Sequence, residues 1–287
     1  MTPATLRAVR DLASAELAAA GVPDPQVDTE LLIGHVLGLS RGEVQAKVAL
    51  DAGIAGDIAG EILALVTRRA AREPLQHITG RAPFRGIELL VGPGVFVPRP
   101  ETEQVAQFAI DALLANAEPE PIAVDLGTGS GAIAIALATE VPHSRVFAVE
   151  ISEEAHAWAA RNVAAFRAEN LDLRLGDLAT AFPELDGRVA VVISNPPYVP
   201  ADAVPRDPEV RLFDPAIALY GGEDGLDVVR EVSAAARRLL HPGGTLVLEH
   251  GELQGEAIRR LLDADGWRAA STHPDLLGRD RATIALR

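Results

Sequence analysis

The sequence predicts an α/β protein: a doubly wound, mostly parallel sheet with a C-terminal antiparallel hairpin, preceded by a small all-α domain. Two observations carry this prediction. In residues 1–73, apolar side chains recur at three- and four-residue steps, which is the period of amphipathic helices. After residue 120, short β-branched runs alternate with helical stretches. Buried strands of this kind form parallel sheets that helices cover on both faces.

The helical domain is predicted to span residues 1–73. Gly21 and Pro23 end its first helix. Ser40 and Glu43 form a capping box that begins a third helix, and a fourth helix covers residues 54–72. Residues 74–100 are rich in proline and glycine and contain short β-type runs, so they are predicted to be a hairpin-bearing linker.

The α/β domain is predicted to span residues 101–287 and to begin with a helix over 101–116. Its sheet strands are expected at 121–127, 145–151, 172–177, 189–195 and 243–251, and the tail is expected to form a closing hairpin. Residues 199–224 contain prolines at four positions, which predicts a long loop that faces the substrate and orders when a partner binds.

Composition indicates an aliphatic core and excludes several kinds of chemistry. Hydrophobic residues make up 48% of the 287 residues, whereas aromatic residues make up only 4%. The chain contains no cysteine, which excludes disulfides, thiolate metal sites and a cysteine nucleophile. Lys47 is the single lysine and has no glycine-rich loop around it, so neither a P-loop ATPase nor a Schiff-base enzyme is expected.

The net charge argues against nucleic-acid binding, and the spacing of the histidines argues against a metal site. The 26 basic and 41 acidic residues give a net charge of −15, which repels phosphate backbones, so no direct nucleic-acid binding is expected. The N-terminal helix carries charges throughout, unlike a signal peptide or a membrane span, so we expect a cytoplasmic protein without membrane attachment. The seven histidines lack paired metal-ligand spacing, and His250 is expected to make a structural hydrogen bond.

A glycine-rich turn, Asp125-Leu126-Gly127-Thr128-Gly129-Ser130-Gly131, follows the first sheet strand and opens a helix. Glycine at such a turn lets the backbone approach a ligand without an intervening Cβ. Glu150 ends the next strand, about 20 residues after the glycine-rich turn. At this sequence spacing a carboxylate can accept hydrogen bonds from a ribose diol. Together these residues predict a site for an adenosine-containing cofactor. Gly127, Gly129 and Ala132 also satisfy the looser nicotinamide-dinucleotide pattern, so this element alone leaves the cofactor open.

Asp177 and Leu178 follow the third strand of the predicted sheet. There a carboxylate and the adjacent backbone amide can address an adenine amino group. Asp177 can equally cap a helix or lie in a solvated loop, and both interpretations stay open.

The segment Asn195-Pro196-Pro197-Tyr198 follows a buried strand, at the edge where ligands bind in such sheets. Its two prolines fix the backbone and remove two N–H donors. The Pro196 carbonyl and the Asn195 side-chain oxygen can therefore both accept from a planar –NH2 group, and Tyr198 can lie flat against it. Two acceptors position such a nitrogen and make it more electron-rich. The segment thus predicts a site for alkylating a planar nitrogen.

These motifs together resemble those of the release factor glutamine methyltransferases. The resemblance extends to the linker segment REPLQHITGRAPFRGIELLVGPGVFVPRPETE and to the later segments DPAIALYGGEDGLDVVR, LHPGGTLVLEHG and DLLGRDRAT. Many members have tyrosine where His77 stands here. The resemblance implies the fold of S-adenosylmethionine-dependent methyltransferases. It also implies methyl transfer from S-adenosylmethionine to the side-chain nitrogen (N5) of the glutamine in the Gly-Gly-Gln motif of peptide chain release factors, with S-adenosylhomocysteine as the product.

The resemblance also implies roles for individual residues. The family's glycine loop holds the methionine part of the cofactor, which here assigns Gly127, Thr128, Gly129, Ser130 and Gly131. Glu150 holds the ribose, and Asn195 to Tyr198 bind the substrate glutamine, with Asn195, Pro196 and Tyr198 catalytic and Asn195 also touching the cofactor. Phe96 in the linker walls the pocket, although it could equally be a core residue. Residues 1–73 recognise the protein substrate.

The expected reaction is a direct in-line displacement without a covalent enzyme intermediate. A glutamine of a ribosomal protein is an alternative substrate. An adenine-N6 methyltransferase of nucleic acid is a rival that the acidic balance opposes. A cofactor-binding regulatory module is opposed by the intact Asn195 and Tyr198, and a nicotinamide oxidoreductase would leave the Asn-Pro-Pro-Tyr segment without a purpose.

Overall fold

The computed structural model describes residues 5–287, which form two compact units. The first comprises the residues up to Arg81 together with Arg206–Phe213, and it is helical. The second comprises Ala82–Pro205 and Asp214–Arg287, and it contains the main sheet. No helix among residues 5–287 has the length and apolar character that a membrane crossing requires.

The described part of the chain contains twelve labelled helices and nine strands. The helices are α1 (Leu6–Ala19), α2 (Pro25–Leu37), α3 (Arg41–Ala49), α4 (Gly56–Ala70), α5 (Leu75–Thr79), α6 (Pro100–Leu114), α7 (Ala132–Glu140), α8 (Glu153–Phe166), α9 (Pro208–Phe213), α10 (Ala216–Leu219), α11 (Asp227–Leu239) and α12 (Gly255–Ala264). The strands are β1 (Arg81–Phe84), β2 (Ile87–Leu90), β3 (Ile122–Leu126), β4 (Arg145–Glu150), β5 (Leu171–Leu175), β6 (Val189–Ser194), β7 (Leu240–Glu249), β8 (Arg268–Pro274) and β9 (Asp280–Leu286).

The helical unit has its own apolar core, because α1, α2 and α4 each place one stripe of aliphatic side chains inward. The fully buried members include Leu17, Leu32, Ile33, Ile62 and Val66. The predicted capping box at α3 is confirmed: the Glu43 N–H donates to Ser40 Oγ, and the Ser40 N–H donates to the Glu43 carboxylate at 2.8 Å. This arrangement satisfies two backbone donors at the helix N-terminus.

A buried arginine attaches the segment Arg206–Phe213 to the rest of the helical unit. Arg69 is 4% exposed and donates to Asp28 Oδ2 at 2.7 Å and to Glu209 Oε1 at 2.6 Å. Arg72 reaches the same Glu209 oxygen at 2.9 Å. Helix α9, which contains Glu209, buries none of its residues. Ion pairs rather than apolar packing therefore hold this segment in place.

The main sheet confirms the predicted α/β class. Its seven strands lie in the order β5-β4-β3-β6-β7-β9-β8. The first five are parallel, whereas β7 pairs with β9 and β9 with β8 in antiparallel fashion, which is the closing hairpin. Every residue of β3 and β6 is buried, as expected for parallel strands covered on both faces.

Successive side chains along each strand alternate between the two faces of the sheet, so the sheet has two separate apolar cores. In β3, Ala123 packs into a cluster with α6 and α7, whereas Val124 and Leu126 pack into a second cluster with α11 and α12. Successive strand residues point to opposite faces, so one strand supplies both cores.

The prediction of a loop over residues 199–224 is wrong in one respect, because two short helices lie within this segment. Helix α9 begins at Pro208, and α10 follows the N-cap residue Pro215. Proline interrupts helices, but its fixed φ and missing N–H also suit the first turn, so these prolines start helices rather than exclude them.

We expect Glu209→Gln to loosen the segment that contains α9. The neutral side chain leaves the buried Arg69 with Asp28 as its remaining carboxylate partner, and a hydrogen bond to a charged group contributes about 1.5–3 kcal/mol. In hydrogen-exchange mass spectrometry, the amides of residues 209–213 should exchange about tenfold faster or more. The control is Glu231→Gln at an exposed position of α11. Unchanged exchange in Glu209→Gln would contradict the anchoring role.

Candidate active site

The glycine loop and the Asn-Pro-Pro-Tyr segment follow two neighbouring strands of the sheet, β3 and β6. The chain builds outward from β3 through β4 to β5 and then returns to β6 on the other side of β3. The carboxyl ends of parallel strands diverge into a crevice at such a reversal, which is where ligands bind in open α/β sheets. Ser194 Oγ, at the end of β6, donates to the Leu126 carbonyl at 2.6 Å and joins the two strands at this edge.

The glycine loop has a backbone that other residues rarely adopt. Gly127, Gly129 and Gly131 have φ angles of +78°, +58° and +85°. A Cβ on Gly127 or Gly129 would meet no atom within 4 Å, whereas one on Gly131 would lie 3.6 Å from Ala159 of α8. The backbone of the first two glycines is therefore open on the side where a Cβ would stand, and the third is required by its positive φ.

Glu150, at the end of β4, shapes the loop as well as facing the crevice. Its Oε2 accepts the Gly129 N–H at 2.8 Å, and its Oε1 accepts the Ser152 N–H at 2.8 Å. Each carboxylate oxygen has a second lone pair, so the same group can also accept from two ligand hydroxyls. This arrangement fits the predicted role toward a ribose.

Asp125 is a buried acid beneath the loop to which the sequence reasoning assigned no role. It is fully buried, and its Oδ2 accepts the Thr128 hydroxyl at 2.6 Å. Burial raises the pKa of Asp125 to about 7, the Thr128 hydrogen bond opposes this, and the charge of Glu150 adds to it. The only signal in the sequence is its position at the start of the glycine motif.

Asn162 connects the glycine loop to the linker hairpin, and sequence reasoning missed it. Its Nδ2 donates to the carbonyls of Ser130 and Leu90, both at 2.9 Å, and its Oδ1 accepts the Leu90 N–H at 2.7 Å. The side chain is completely buried in α8. An asparagine within an alanine-rich helix carries no motif that would have indicated this contact.

The backbone of the Asn-Pro-Pro-Tyr segment is held by the chain that follows α10 and by Gln254. The Gln254 Nε2 donates to the Tyr198 carbonyl at 2.9 Å. An added Cβ would lie 2.3 Å from the Pro197 carbonyl oxygen at Gly221, and 2.4 Å from the Tyr198 carbonyl oxygen at Gly225. These two glycines are required because the backbones approach so closely. Gln254 is a positioning residue that no sequence motif indicated.

The side chains of this segment differ in exposure. Pro196 is buried, whereas Asn195, Pro197 and Tyr198 are half-buried. Burial raises the pKa of the Tyr198 phenol above its ordinary value, and the nearby charge of Glu249 raises it further. The phenol therefore stays protonated at neutral pH.

The predicted structural role of His250 is confirmed. Its Nδ1 lies 2.9 Å from the Gly251 carbonyl oxygen, and its Nε2 lies 2.9 Å from Thr283 Oγ1. Burial lowers the pKa of His250. Both ring nitrogens are thus engaged, and the ring is neutral near pH 7.

Three further residues predicted for the site make contacts in the structure that do not by themselves indicate a ligand. Phe96 is half-buried, and the Arg99 guanidinium lies over its ring at 4.9 Å. Asp177 is exposed, and its Oδ1 accepts the Ala179 N–H at 2.9 Å within a turn. Leu178 packs against one of the two sheet cores. Contact of these residues with a ligand stays a prediction.

Comparison with known proteins identifies the family. The PrmC N-terminal domain family matches residues 8–80, and the methyltransferase small domain family matches residues 86–219. A release factor glutamine methyltransferase of Streptomyces coelicolor is 52% identical over 275 residues, which cover 95% of each chain. The chain belongs to the release factor glutamine methyltransferase family. The resemblance inferred from the motifs is thereby confirmed.

Other relatives and a solved structure are also similar. A release factor glutamine methyltransferase of Bifidobacterium longum is 44% identical over 286 residues, covering 96% of this chain and 97% of that one. A 4-amino-L-phenylalanine/4-methylamino-L-phenylalanine methyltransferase of Streptomyces pristinaespiralis is 40% identical over 276 residues, covering 94% and 91%. A ribosomal protein L11 methylase from Lactobacillus delbrueckii subsp. bulgaricus matches with a TM-score of 0.48 and 20% identity, over 69% of this chain and 83% of that one.

Membership of this family makes the protein an S-adenosylmethionine-dependent methyltransferase, as expected. The described residues fit this cofactor. The bare backbone at Gly127 and Gly129 leaves space that a Cβ would fill, and the Glu150 carboxylate bonds to the same loop.

We expect Gly129→Ala to weaken cofactor binding as well as the fold. Alanine at a φ of +58° costs about 1–2 kcal/mol. Its Cβ meets no protein atom within 4 Å, so it projects into the space open to the ligand. Isothermal titration calorimetry with S-adenosylhomocysteine should show an affinity at least tenfold lower.

The matched control for this prediction is Gly187→Ala, in the turn before β6. Gly187 also has a positive φ, +68°, and a Cβ there meets no atom within 4 Å. This variant should keep its affinity. Equal affinities in the two variants would show that the loop backbone does not face the cofactor.

Proposed function

We propose that the enzyme methylates the side-chain nitrogen N5 of the glutamine in the Gly-Gly-Gln motif of peptide chain release factors, and so modulates translation termination. The observation that carries this proposal is the pairing of β3 with β6, which sets the glycine loop beside the Asn-Pro-Pro-Tyr segment at one edge of the sheet. A methyl donor and a planar nitrogen must meet within contact distance, and neighbouring strand ends allow this.

The chain's own residues would hold and orient the substrate amide. The Asn195 side-chain oxygen and the Pro196 carbonyl accept its two hydrogens, and the Tyr198 ring lies against its plane. S-adenosylmethionine, when bound, supplies an electrophilic methyl group. The amide nitrogen is itself the nucleophile, so a direct in-line displacement needs this alignment and an acceptor for one proton. As the nitrogen–methyl bond forms, the sulfur–methyl bond would break, S-adenosylhomocysteine would leave, and the methylated nitrogen would release its proton to an acceptor or to water.

The rigid backbone around the segment supports this role. Pro196 and Pro197 have no N–H groups that could oppose a donor on the substrate. The close contacts of Gly221 and Gly225 with the carbonyls of Pro197 and Tyr198 fix the segment from outside. The acceptors are therefore in place before the substrate arrives, which reduces the cost of orienting the amide.

The predicted domains have separate roles in this proposal. Residues 1–73 form the domain that recognises the release factor, residues 74–100 form the linker, and residues 101–287 carry the chemistry. A protein substrate that works in translation places the enzyme in the cytoplasm. We expect no direct nucleic-acid contact, given the net charge of −15.

An aromatic amine is a second candidate substrate, because the Streptomyces pristinaespiralis relative at 40% identity is named for 4-amino-L-phenylalanine. The amino group of an aniline is also nearly planar with a delocalised lone pair, so the same two acceptors fit it. The relatives at 52% and 44% identity carry the release factor name, which favours the glutamine. A glutamine of a ribosomal protein remains the alternative among protein substrates.

Peptide mapping by mass spectrometry tests the proposed function. The cognate release factor is incubated with the enzyme and S-adenosylmethionine, beside a release factor with alanine in place of the Gly-Gly-Gln glutamine. We expect one methyl group on that glutamine and none in the control. With cofactor binding confirmed, an unmodified release factor would contradict the proposal, and parallel assays with 4-amino-L-phenylalanine and ribosomal proteins would identify the alternative.

We expect Asn195→Ala to slow methyl transfer strongly while much of the cofactor affinity remains. Loss of one preorganised polar partner of a reacting group lowers kcat by about 10²- to 10³-fold. Single-turnover kinetics give the rate, and calorimetry with S-adenosylhomocysteine gives the affinity.

The matched control for Asn195→Ala is Asn116→Ala. Asn116 follows α6 and precedes β3, so it lies toward the opposite edge of the sheet from the Asn-Pro-Pro-Tyr segment. The control should keep full activity. Full activity in Asn195→Ala would refute the role given to this side chain.

A further inference from the structure

A buried acid that the proposed mechanism does not use stands beside Asn195. Glu249 is the last residue of β7, and it is 1% exposed. Strands β6 and β7 are parallel, with Ser194 paired to Leu248. The next pair across these strand ends is therefore Asn195 with Glu249, which places the carboxyl group next to the amide of the Asn-Pro-Pro-Tyr segment.

The surroundings of Glu249 act on its pKa in opposite directions. Burial raises its pKa to about 7, and the side chains of Thr102 and Asn195 together with the charge of Arg281 lower it. Thr102 Oγ1 and Glu249 Oε2 are both buried, and neither atom has a hydrogen-bond partner among the described residues. A buried acid without a network of its own is costly and is seldom retained without a role.

We propose that Glu249 is a positioning residue, which accepts a hydrogen bond from Asn195 Nδ2 and so turns Asn195 Oδ1 toward the substrate nitrogen. This inference rests on the proposed function of the same site.

The chemistry of the two side chains explains why an acid is needed there. A carboxamide carries an acceptor oxygen and a donor nitrogen that are nearly equal in size, and only its hydrogen-bond partners decide which one faces the substrate. An ionised carboxylate accepts hydrogen bonds and cannot donate them, so it selects the Nδ2 side of Asn195. A protonated Glu249 can donate to Oδ1 and leave Nδ2 facing the substrate –NH2 group, where two donors would oppose each other.

Several charged or titratable groups face Glu249 and set its ionisation. Arg281 of β9 favours the ionised form, and Glu101 at the start of α6 opposes it. Tyr198 stays a neutral phenol, because its pKa is raised further by the charge of Glu249. The neighbouring His250 is neutral and has both ring nitrogens engaged. Glu249 is therefore the group of this cluster that changes charge near pH 7.

The kinetic test compares Glu249→Gln with Glu249→Asp. Glutamine has nearly the same shape but carries a donor nitrogen as well as an acceptor oxygen, so it no longer selects the Nδ2 side of Asn195. Misalignment of a reacting group costs on the order of 10²-fold in rate. We expect kcat to fall by about that factor, whereas KM for the release factor and the affinity for S-adenosylhomocysteine change far less. Aspartate still only accepts, so it should recover part of the rate.

The pH profile separates a positioning role from a structural one. In the wild type, kcat should rise with pH through a midpoint near 7, because the ionised form is the active one. This rising limb should persist in Glu249→Asp, at a midpoint of its own, and disappear in Glu249→Gln. A wild-type enzyme that methylates the release factor, beside a Glu249→Gln variant with the same kcat and pH profile, would overturn the inference and leave the proposed function intact.

Nuclear magnetic resonance tests the same contact without any substrate. The Asn195 side-chain amide signal, assigned by its loss in Asn195→Ala, should shift with pH around 7 in the wild type and stay constant in Glu249→Gln. A signal that is independent of pH in the wild type would overturn the inference. This experiment tests the contact between Glu249 and Asn195 even if the release factor is not the substrate.

Discussion

The pairing of β3 with β6 is the constraint on which the rest of the site depends. These strands run side by side although β4 and β5 lie between them in the chain. Their carboxyl ends are joined by the hydrogen bond from Ser194 Oγ to the Leu126 carbonyl. Gly127 and Asn195 are the next residues of the two strands, so this one junction sets the distance between the glycine loop and the Asn-Pro-Pro-Tyr segment. A shift of one residue in either register would point the side chains to the other face of the sheet.

Three acids, Asp125, Glu150 and Glu249, lie at or next to the carboxyl ends of central strands at this edge and close to the site. All are at least nine-tenths buried. For Asp125 and Glu249, burial raises the pKa to about 7. The folded chain then holds protons that the unfolded chain releases, so these two groups lower the stability of the fold as pH rises from about 4 to about 7. The site retains them at that cost, which agrees with roles in orienting the loop and the amide.

Periodicity and motif spacing predicted most of the fold and the two main elements of the site. Short apolar runs located all five parallel strands, although β5 contains no β-branched residue and buries only Leu171. Ser40 with Glu43 marked the start of α3. The glycine loop and the Asn-Pro-Pro-Tyr segment were found because their chemistry requires neighbouring residues in the chain. The helical spacing of apolar residues alone did not determine which of them are buried. Leu12 of α1, for example, is 58% exposed.

The remaining residues of the site could not be predicted because their partners are distant in the sequence. Asn162 meets Leu90 and Ser130, and Gln254 meets Tyr198, only after the sheet has formed. Glu249 becomes a neighbour of Asn195 through the register of β6 and β7. The ion pairs of Glu209 with Arg69 likewise connect segments 140 residues apart. Such contacts leave no local pattern for a sequence to display.

The most direct test of the central claim is a structure of the enzyme with S-adenosylhomocysteine and the Gly-Gly-Gln loop of a release factor. We predict the glutamine nitrogen within hydrogen-bond distance, about 2.7–3.2 Å, of both Asn195 Oδ1 and the Pro196 carbonyl oxygen. The same structure should place the cofactor against Gly127 and Gly129. A glutamine bound away from Asn195, or an Asn195 turned with Nδ2 toward the glutamine nitrogen, would contradict the account.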